Sequence, residues 1–372
     1  MFSHLFSGIT IQGVTLPNRL TMAPLYLGYA GEGGTVSPML LDHYRLMAQS
    51  GVAMVVVENA TVDHPGGSGS NRTLRADTDE GLDGLRTLAQ TIHEAGARAC
   101  LQINHAGRFA HAAPEPLAPS AVETFRRMPK ALDESTIQHI IGCYAQAAAR
   151  AKAAGFDMVE LHGGTGYLLA QFLSPHTNRR TDRYGGSLDN RQRFALEVLG
   201  QVKAAVSQLP VGYRFLADEW LPDGLQLEES RRFAKTLADA GIAYISVMGG
   251  TYESFSRPEI VEKSKQTGYM LDLAAAIREQ VDVPVIAAGR LATGAIAEQA
   301  IAQGKTDLIG LARVLWADPQ WPQKVRDGRE DEIIHCDPSC GEACMQMVMK
   351  GRPAFCVRWP AEKMKAWKEK FV

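Results

Sequence analysis

The 372 residues contain no run of about 18 apolar side chains, the length a helix needs to cross a bilayer, so no membrane span is expected. The N-terminus, MFSHLFSGIT, has neither the basic start nor the long apolar core of a secretory signal, which makes a cytoplasmic protein the expectation. Charge of one sign is also lacking. The 39 Lys and Arg face 41 Asp and Glu, a net charge of -2, and this leaves no electrostatic basis for a nucleic-acid or membrane-surface partner. There is no low-complexity segment, no short repeat and no G-x-G-x-x-G, the last counting against a Rossmann dinucleotide site. Cysteine is scarce until late in the chain. None lies between Met1 and Ala99, and Cys100 and Cys143 are isolated and read as small buried hydrophobes.

What is present suits a globular domain: 45% of residues are hydrophobic and 22% charged. The opening ITIQGVTLPNRL alternates apolar and polar around Gly13 and predicts a small hairpin covering the bottom of a barrel. Strand and helix patterns then alternate. Strands are expected at Leu20–Met22, Ala53–Glu58, Arg98–Ile103, Met158–His162, Val211–Leu216, Tyr244–Val247, Val283–Ala287 and Leu308–Gly310. Helices are expected at Pro38–Ser50, Gly81–Ala95, Asp133–Ala154, Asn190–Ser207, Glu228–Ala240, Leu271–Gln280, Gly294–Gln303 and Pro319–Arg326. AMVVVE, a continuous apolar run, marks a strand buried on both faces. Asp133 is placed as an N-cap, and Gly96 and Gly155 as helix stops. Eight such pairs imply a parallel sheet with crossover helices, closing into an α/β (β/α)8 TIM barrel; an open doubly wound sheet is the alternative. The longest irregular piece, His105–Leu132, carries four prolines and follows the third strand, a place where loops shape binding sites.

Val159–Arg193 reads VELHGGTGYLLAQFLSPHTNRRTDRYGGSLDNRQR. A strand ends at His162, Gly163, Gly164 and Gly166 permit a sharp turn, and Tyr167 follows. A histidine and a tyrosine at a strand's C-terminal mouth suggest site chemistry; the plainer reading is a core histidine beside an ordinary turn. The pattern HxxxxYLLAQFLSPxxNxRxDxYGGSxxNRxRF resembles the signature of the Old Yellow Enzyme family of FMN-dependent oxidoreductases. The segments NRLTMAPL, LQINHAGR, AAGR and GLARVLWADP are similar to that family's blocks and occur in its order.

A flavin needs donors near N1 and O2, where charge develops on reduction, and a cradle for its phosphate. The strand ends supply candidates. By the resemblance, Gln102 and Arg214 hold the pyrimidine side of FMN, while Ala23, Pro24, Leu25 and Ala60 form its wall. Gly289, Arg290, Ala312 and Arg313, after strands seven and eight, would bind the phosphate. In the family the histidine contacts the substrate's activating carbonyl and the tyrosine donates a proton, which assigns those roles to His162 and Tyr167. A phenol of pKa near 10 suits protonation of a carbon made basic by hydride arrival.

The substrate face departs from the family in two places. Relatives often set His-His or His-Asn against the carbonyl, whereas Thr165 stands at the second position here, a shorter and weaker donor. Tyr26 occupies a position where many relatives have Cys or Thr; it would narrow the pocket or add a second phenol. Tyr252 and Glu253, in GGTYESFSRP after strand six, are further pocket candidates. Arg126, Arg127 and Lys130 in the long loop read as a solvated patch or as contacts for a CoA phosphate.

The last four cysteines, Cys336, Cys340, Cys344 and Cys356, are spaced C-x3-C-x3-C-x11-C. Four thiols so close could hold a 4Fe–4S cluster or a tetrahedral zinc. The segment is similar to that of the subgroup with 2,4-dienoyl-CoA reductase and trimethylamine dehydrogenase, which implies a 4Fe–4S cluster. The x11 interval matches, and the x3 between Cys336 and Cys340 is one residue longer than that subgroup's usual x2. The expected organisation is an FMN-binding barrel over 1–330 and a cysteine segment over 331–372.

The reaction expected is reduction of a C=C bond conjugated to a carbonyl or thioester on a small-molecule substrate. NAD(P)H, or a protein electron donor or acceptor acting through the cluster, would exchange the electrons. An N-methyl amine dehydrogenase passing electrons to the cluster is an alternative. An electron-transfer module without its own substrate is another, and a homo-oligomer is compatible with all three.

Overall fold

A computed structural model describes residues 2–371. Eight strands close a barrel in sequence order: Leu20–Met22 (β1), Met54–Thr61 (β2), Arg98–Asn104 (β3), Met158–Gly163 (β4), Val211–Asp218 (β5), Tyr244–Gly249 (β6), Val285–Ala287 (β7) and Leu308–Leu311 (β8). Neighbours are parallel throughout, and β8 returns to β1 with Ile309 opposite Leu20. The crossover helices are Pro38–Ala48 (α1), Leu82–Glu94 (α2), Glu134–Ala153 (α3), Arg193–Val206 (α4), Leu227–Asp239 (α5), Leu271–Arg278 (α6) and Gly294–Ala302 (α7), and Trp321–Arg326 (α8) follows the last strand. The expected TIM barrel is therefore the fold. No described helix is long and apolar enough to cross a membrane.

Local chemistry accounts for the elements. Ser37, Asp133 and Thr293 side chains accept from the backbone N–H three residues on and start α1, α3 and α7. Gly96 and Gly155 take φ +99° and +89° just past α2 and α3, as stop positions require. In α2 the buried Leu85, Leu88, Ala89 and Ile92 recur at helical spacing against the sheet. Burying each of the larger ones stabilises by about 1.5–3 kcal/mol, and Leu88→Ala would cost about 2–5 kcal/mol. β2 is buried along its whole length, as its apolar run requires.

The hairpin Ile9–Ile11/Val14–Leu16 packs Ile11 and Leu16 against Met54, Cys100, Met158 and Leu308 at the strands' N-terminal ends. It closes the barrel bottom and leaves the chemistry to the opposite mouth.

Several boundaries differ from the sequence reading. β2 runs on to Thr61, so Asn59 and Ala60 lie inside the strand, where a register shift between Val57 and Ala60 passes Asn59 by and the ladder to β3 resumes at Ala60 and Thr61. The helix expected from Asn190 is a short turn, Leu188–Arg191, followed by α4. The apolar run LLAQFL is a one-and-a-half-turn helix, Leu168–Leu173, and a further helix, Arg313–Ala317, precedes α8. Cys100 is fully buried, but Cys143 is only half-buried, on α3 with its sulfur 3.5 Å from His139 Nε2.

After α8 the chain folds back over the barrel through helices Ala343–Met349 and Ala361–Phe371. Ala354 N–H donates to the Leu27 carbonyl (2.8 Å) and Tyr29 O–H to the Ala354 carbonyl (2.9 Å). Trp316 meets Trp359 edge-on at 5.4 Å.

Candidate active site

Alternate residues of a strand point to one face, so a barrel interior is stacked in layers. The bottom layer here is apolar. Above it lies a polar layer: Gln102 Nε2 donates to Glu160 Oε1 (2.8 Å), Tyr244 O–H to Glu160 Oε2 (3.0 Å), and Arg214 Nη1 to Ser246 Oγ (2.7 Å). Burial pushes the Glu160 carboxyl up, and the Arg214 cation opposes that shift. Glycines make room for the rings that fill this interior. A Cβ on Gly163 would lie 2.2 Å from the Tyr213 ring, and one on Gly212 would lie 2.1 Å from that of Tyr244.

Above this layer opens a cavity of about 590 Å³ at the strands' C-terminal ends. That size suits a cofactor with a small substrate beside it. Its floor presents the side chains of Gln102 and Arg214, its sides Pro24, Leu25 and Met248, and its far end Lys265, Arg290 and Arg313. Among the other residues of the sequence reading, Ala23 and Ala60 are buried behind this wall, while Gly289 and Ala312 are half-buried beside the arginines. Gly289 leaves no space for a side chain, since a Cβ would approach Met270 Cβ to 3.0 Å.

His162 and Tyr167 stand at one side of the cavity, held by the turn after β4. Of the three glycines there, only Gly166 takes a positive φ, +88°. Thr165 takes +60°, an uncommon state for a β-branched residue that costs on the order of 1 kcal/mol. Gly164 serves space, since a Cβ there would meet Met248 Sδ at 2.5 Å. The Gly164 N–H donates to His162 Nδ1 (3.2 Å), so the ring proton of the neutral imidazole sits on Nε2. Burial, reinforced by the Arg214 cation, holds His162 down at about 3, and the ring is neutral at physiological pH. Thr165 Oγ1 lies 3.5 Å from Met248 Sδ and also lines the cavity.

The Tyr167 ring meets His162 edge-on at 4.8 Å, and its hydroxyl is 2.8 Å from that of Tyr252. Burial, then the neighbouring Tyr252 phenol, pushes Tyr167 well above the ordinary 10, so it stays protonated. Tyr252 thus belongs to the site, and Glu253 supports it from behind. The Glu253 carboxylate accepts from Arg108 Nη2 (2.8 Å) and Thr124 Oγ1 (3.0 Å) and sits 3.1 Å from His176 Nε2. Tyr26 also lines the cavity, with its hydroxyl hydrogen-bonded to Ser70 Oγ. Arg126, Arg127 and Lys130 stand outside the cavity, and Arg127 is tied to the Ala113 carbonyl (2.9 Å).

Sequence reasoning missed several lining residues. Glu58 is fully buried and reaches the cavity with Oε1 unpartnered, while Oε2 accepts from Tyr44 O–H (3.4 Å). Burial raises this carboxyl to about 8, so it is largely protonated at neutral pH. Asn59 Oδ1 is likewise buried and unpartnered. A carboxyl two residues before Ala60 in an otherwise apolar strand was the available signal. Lys265, Tyr269, Met345 and Val348 come from segments whose approach depends on tertiary packing.

The four late cysteines gather around one small cavity, walled by Trp316, Ala343, Phe355 and Val357, with Arg313 and Arg358 at its edge. All four are half-buried, and none is in a disulfide. Among the described residues no three Cys, His, Asp or Glu side chains converge as they would around a single ion. The thiols enclose a volume instead. Arg313 lines this cavity and the larger one, donating to Glu342 Oε1 (2.6 Å), and Arg290 Nη1 lies 3.5 Å from the Cys336 carbonyl.

Comparison with known proteins agrees with this geometry. Residues 4–332 match the model of the NADH:flavin oxidoreductase / NADH oxidase family. An NADH oxidase of Thermoanaerobacter brockii is 40% identical over 354 residues, covering 92% of this chain and 54% of that protein. A 2-naphthoyl-CoA reductase solved with 2-naphthoyl-CoA superposes with a TM-score of 0.92 at 29% identity, covering 97% of this chain and 57% of its own. Histamine dehydrogenase from Rhizobium sp. 4-9 superposes with a TM-score of 0.85 at 30% identity, covering 99% of this chain and 53% of its own. The chain spans about half the length of each.

Proposed function

Because the chain belongs to the NADH:flavin oxidoreductase / NADH oxidase family, we propose that it binds FMN and reduces a C=C bond conjugated to a carbonyl or thioester. One observation carries this reading. A phenol kept protonated by burial, Tyr167, and a neutral imidazole bearing its proton on Nε2, His162, lie ring to ring at 4.8 Å on the wall of one cavity.

The donor set fits the cofactor. Gln102 and Arg214 would hold the pyrimidine edge, Pro24, Leu25 and Met248 would flank the ring, and Arg290, Arg313 and the backbone at Gly289 would take the phosphate. The unpartnered Glu58 Oε1 and Asn59 Oδ1 are further buried groups awaiting a partner there. The chemistry FMN supplies when bound is hydride transfer. The chain's residues do the rest. His162 donates from Nε2–H to the substrate's carbonyl oxygen and stabilises the charge that collects there. Tyr167 delivers its proton to the α-carbon as the β-carbon becomes saturated, and Tyr252, 2.8 Å away, is placed to restore it. Thr165 stands where relatives have a stronger second donor, so polarisation of the substrate carbonyl rests mainly on His162.

The cysteine segment supplies four thiols around one small cavity, a donor set that suits a 4Fe–4S cluster or a tetrahedral zinc, and the resemblance of its spacing to the iron–sulfur subgroup favours the cluster. Cys336, Cys340, Cys344 and Cys356 would be its ligands, and a protein electron donor or acceptor, or NAD(P)H directly at the flavin, would complete the cycle.

A second reading, oxidation of an amine, is supported by the likeness to histamine dehydrogenase and by the three phenols Tyr26, Tyr167 and Tyr252 on one cavity. Anaerobic titration separates the two. Conjugated thioesters should re-oxidise reduced flavin and leave oxidised flavin unchanged, whereas an amine substrate would bleach oxidised flavin directly and overturn the first reading. Iron, sulfide and flavin analysis of protein purified without oxygen tests the cofactors. About four irons and one FMN per chain are expected, and FMN without iron would remove the cluster.

A further inference from the structure

A carboxylic acid stands in the wall of the flavin cavity without a cation to keep it charged. Glu58 lies in β2, is only 1% exposed, and lines that cavity. Its Oε2 accepts from Tyr44 O–H at 3.4 Å, a long bond, and its Oε1 has no partner among the described residues. A buried carboxylate needs an opposite charge or several convergent donors, and neither stands beside this one.

The titratable groups that face Glu58 are phenols. Tyr44 comes from α1, and Tyr26 and Tyr29 come from the loop after β1. Burial raises all three, and a charge on Glu58 raises them further, so each stays protonated. Arg214, a cation lining the same cavity, is engaged with Glu160 and Ser246 and has no part in the Glu58 shift. Burial therefore dominates and lifts the acid to about 8, against the opposing contacts of Tyr44 and the Leu27 N–H. An ordinary carboxylate is ionised throughout the physiological range and cannot respond to a new charge. One poised near neutrality can. Reduction of a flavin brings such a charge, because it develops at N1 and O2.

We propose that the Glu58 carboxylate takes a proton from water when flavin bound in this cavity is reduced, so that the two are not negatively charged together. The step balances. NAD(P)H supplies two electrons and one proton to the flavin as hydride, and Glu58 forms one O–H bond with a further proton and is neither oxidised nor reduced. Below about pH 8 the acid already holds that proton and reduction draws nothing more. Above it one extra proton enters, and re-oxidation returns it to water. The inference rests on the flavin reading of the cavity and on no assignment of the substrate.

The test is spectroelectrochemistry of the FMN-loaded enzyme from about pH 7 to 10, followed at the flavin absorbance band. The wild-type midpoint potential should fall along one slope up to about pH 8 and about twice as steeply above it, since two protons instead of one then accompany two electrons. Glu58→Gln keeps the shape of the neutral acid, cannot ionise, and should follow the single slope throughout. Tyr44→Phe removes a donor to the carboxylate and should move the inflection to higher pH, which a purely structural role would not do. Reduced-minus-oxidised infrared spectra above the inflection should gain a carboxylic C=O band in the wild type and none in Glu58→Gln. A single slope in the wild type would overturn the proposal, and so would an inflection that persists in Glu58→Gln. Either result with flavin bound leaves the flavin reading standing, whereas protein that takes up no FMN would overturn both.

Discussion

Replacing Tyr167 with phenylalanine removes one oxygen from the site and little else. The ring stays against His162 and Phe109, at centroid distances of 4.8 and 6.3 Å, so the turn after β4 keeps its packing. The lost hydroxyl leaves Tyr252 without its 2.8 Å partner, but Tyr252 is 37% exposed and can turn to water. The cost in stability is about 0.5–1.5 kcal/mol, a few degrees in Tm at most. The cost in catalysis is much larger. A positioned general acid contributes about 10²–10⁴-fold, or about 2.7–5.5 kcal/mol of barrier. The lower end is expected here, because Tyr252 remains within reach. Stopped-flow absorbance separates the half-reactions: flavin reduction by NAD(P)H should proceed at the wild-type rate, while re-oxidation by a conjugated thioester should slow at least 100-fold. Re-oxidation slowed less than about threefold would refute Tyr167 as the donor. The wild-type pH profile is a second check. With His162 held at about 3 and Tyr167 well above 10, re-oxidation should be flat between about pH 5 and 7, below the range in which the Glu58 carboxyl ionises, and an inflection near 6.5 would show a titrating histidine instead.

Three further outcomes follow from other parts of the structure. The Glu58 carboxyl is raised from 4.5 to about 8 by burial, so its contribution to stability is whole below pH 4.5 and is lost as pH rises towards 8. Glu58→Gln, which cannot ionise, should melt close to wild type at pH 4 and several degrees above it at pH 9, and equal Tm values at pH 9 would show that the carboxyl is not buried neutral. Gly163→Ala drives a Cβ to 2.2 Å from the Tyr213 ring and should cost about 1–3 kcal/mol, read as a Tm loss of several degrees, whereas Gly200→Ala, in α4 with open space around it, should cost nothing. Cys356→Ser should reduce bound iron to near zero while the far-UV circular dichroism of the barrel is unchanged, and full iron retention would remove this cysteine from the ligand set.

The barrel was legible because strand and helix periodicities alternate eight times, and each unit carries its own local stops. His162 and Tyr167 were legible because rare residue types stand at fixed distances around a strand end. Ala60 was placed just past a strand that in fact contains it, since Asn59 looks like loop chemistry and the ladder to β3 skips it before resuming at Ala60. Glu58 escaped notice because a lone carboxyl in AMVVVE reads as a strand terminus, and only packing against Tyr44 shows it to be buried. The contributions of Lys265, Tyr269 and Met345 depend on how distant loops fold over the mouth, which no local pattern encodes. Tyr252 lay between the two cases. Its loop was identifiable, but its bond to Tyr167 is a property of β4 and β6 ending at the same rim.

Met345 and Val348 lie on the helix between Cys344 and Cys356, yet they form part of the flavin cavity's wall, and Arg313 borders both cavities. Ordering one short segment therefore serves two binding events. In thermodynamic terms the two are linked: whatever fixes the thiols lowers the entropy cost of closing the flavin wall, and flavin in turn favours the arrangement that the thiols need. Loading should then be cooperative, with iron-depleted protein holding its flavin more weakly and flavin-free protein acquiring iron more slowly. With a cluster bound as proposed, the segment would tie possession of one redox group to possession of the other.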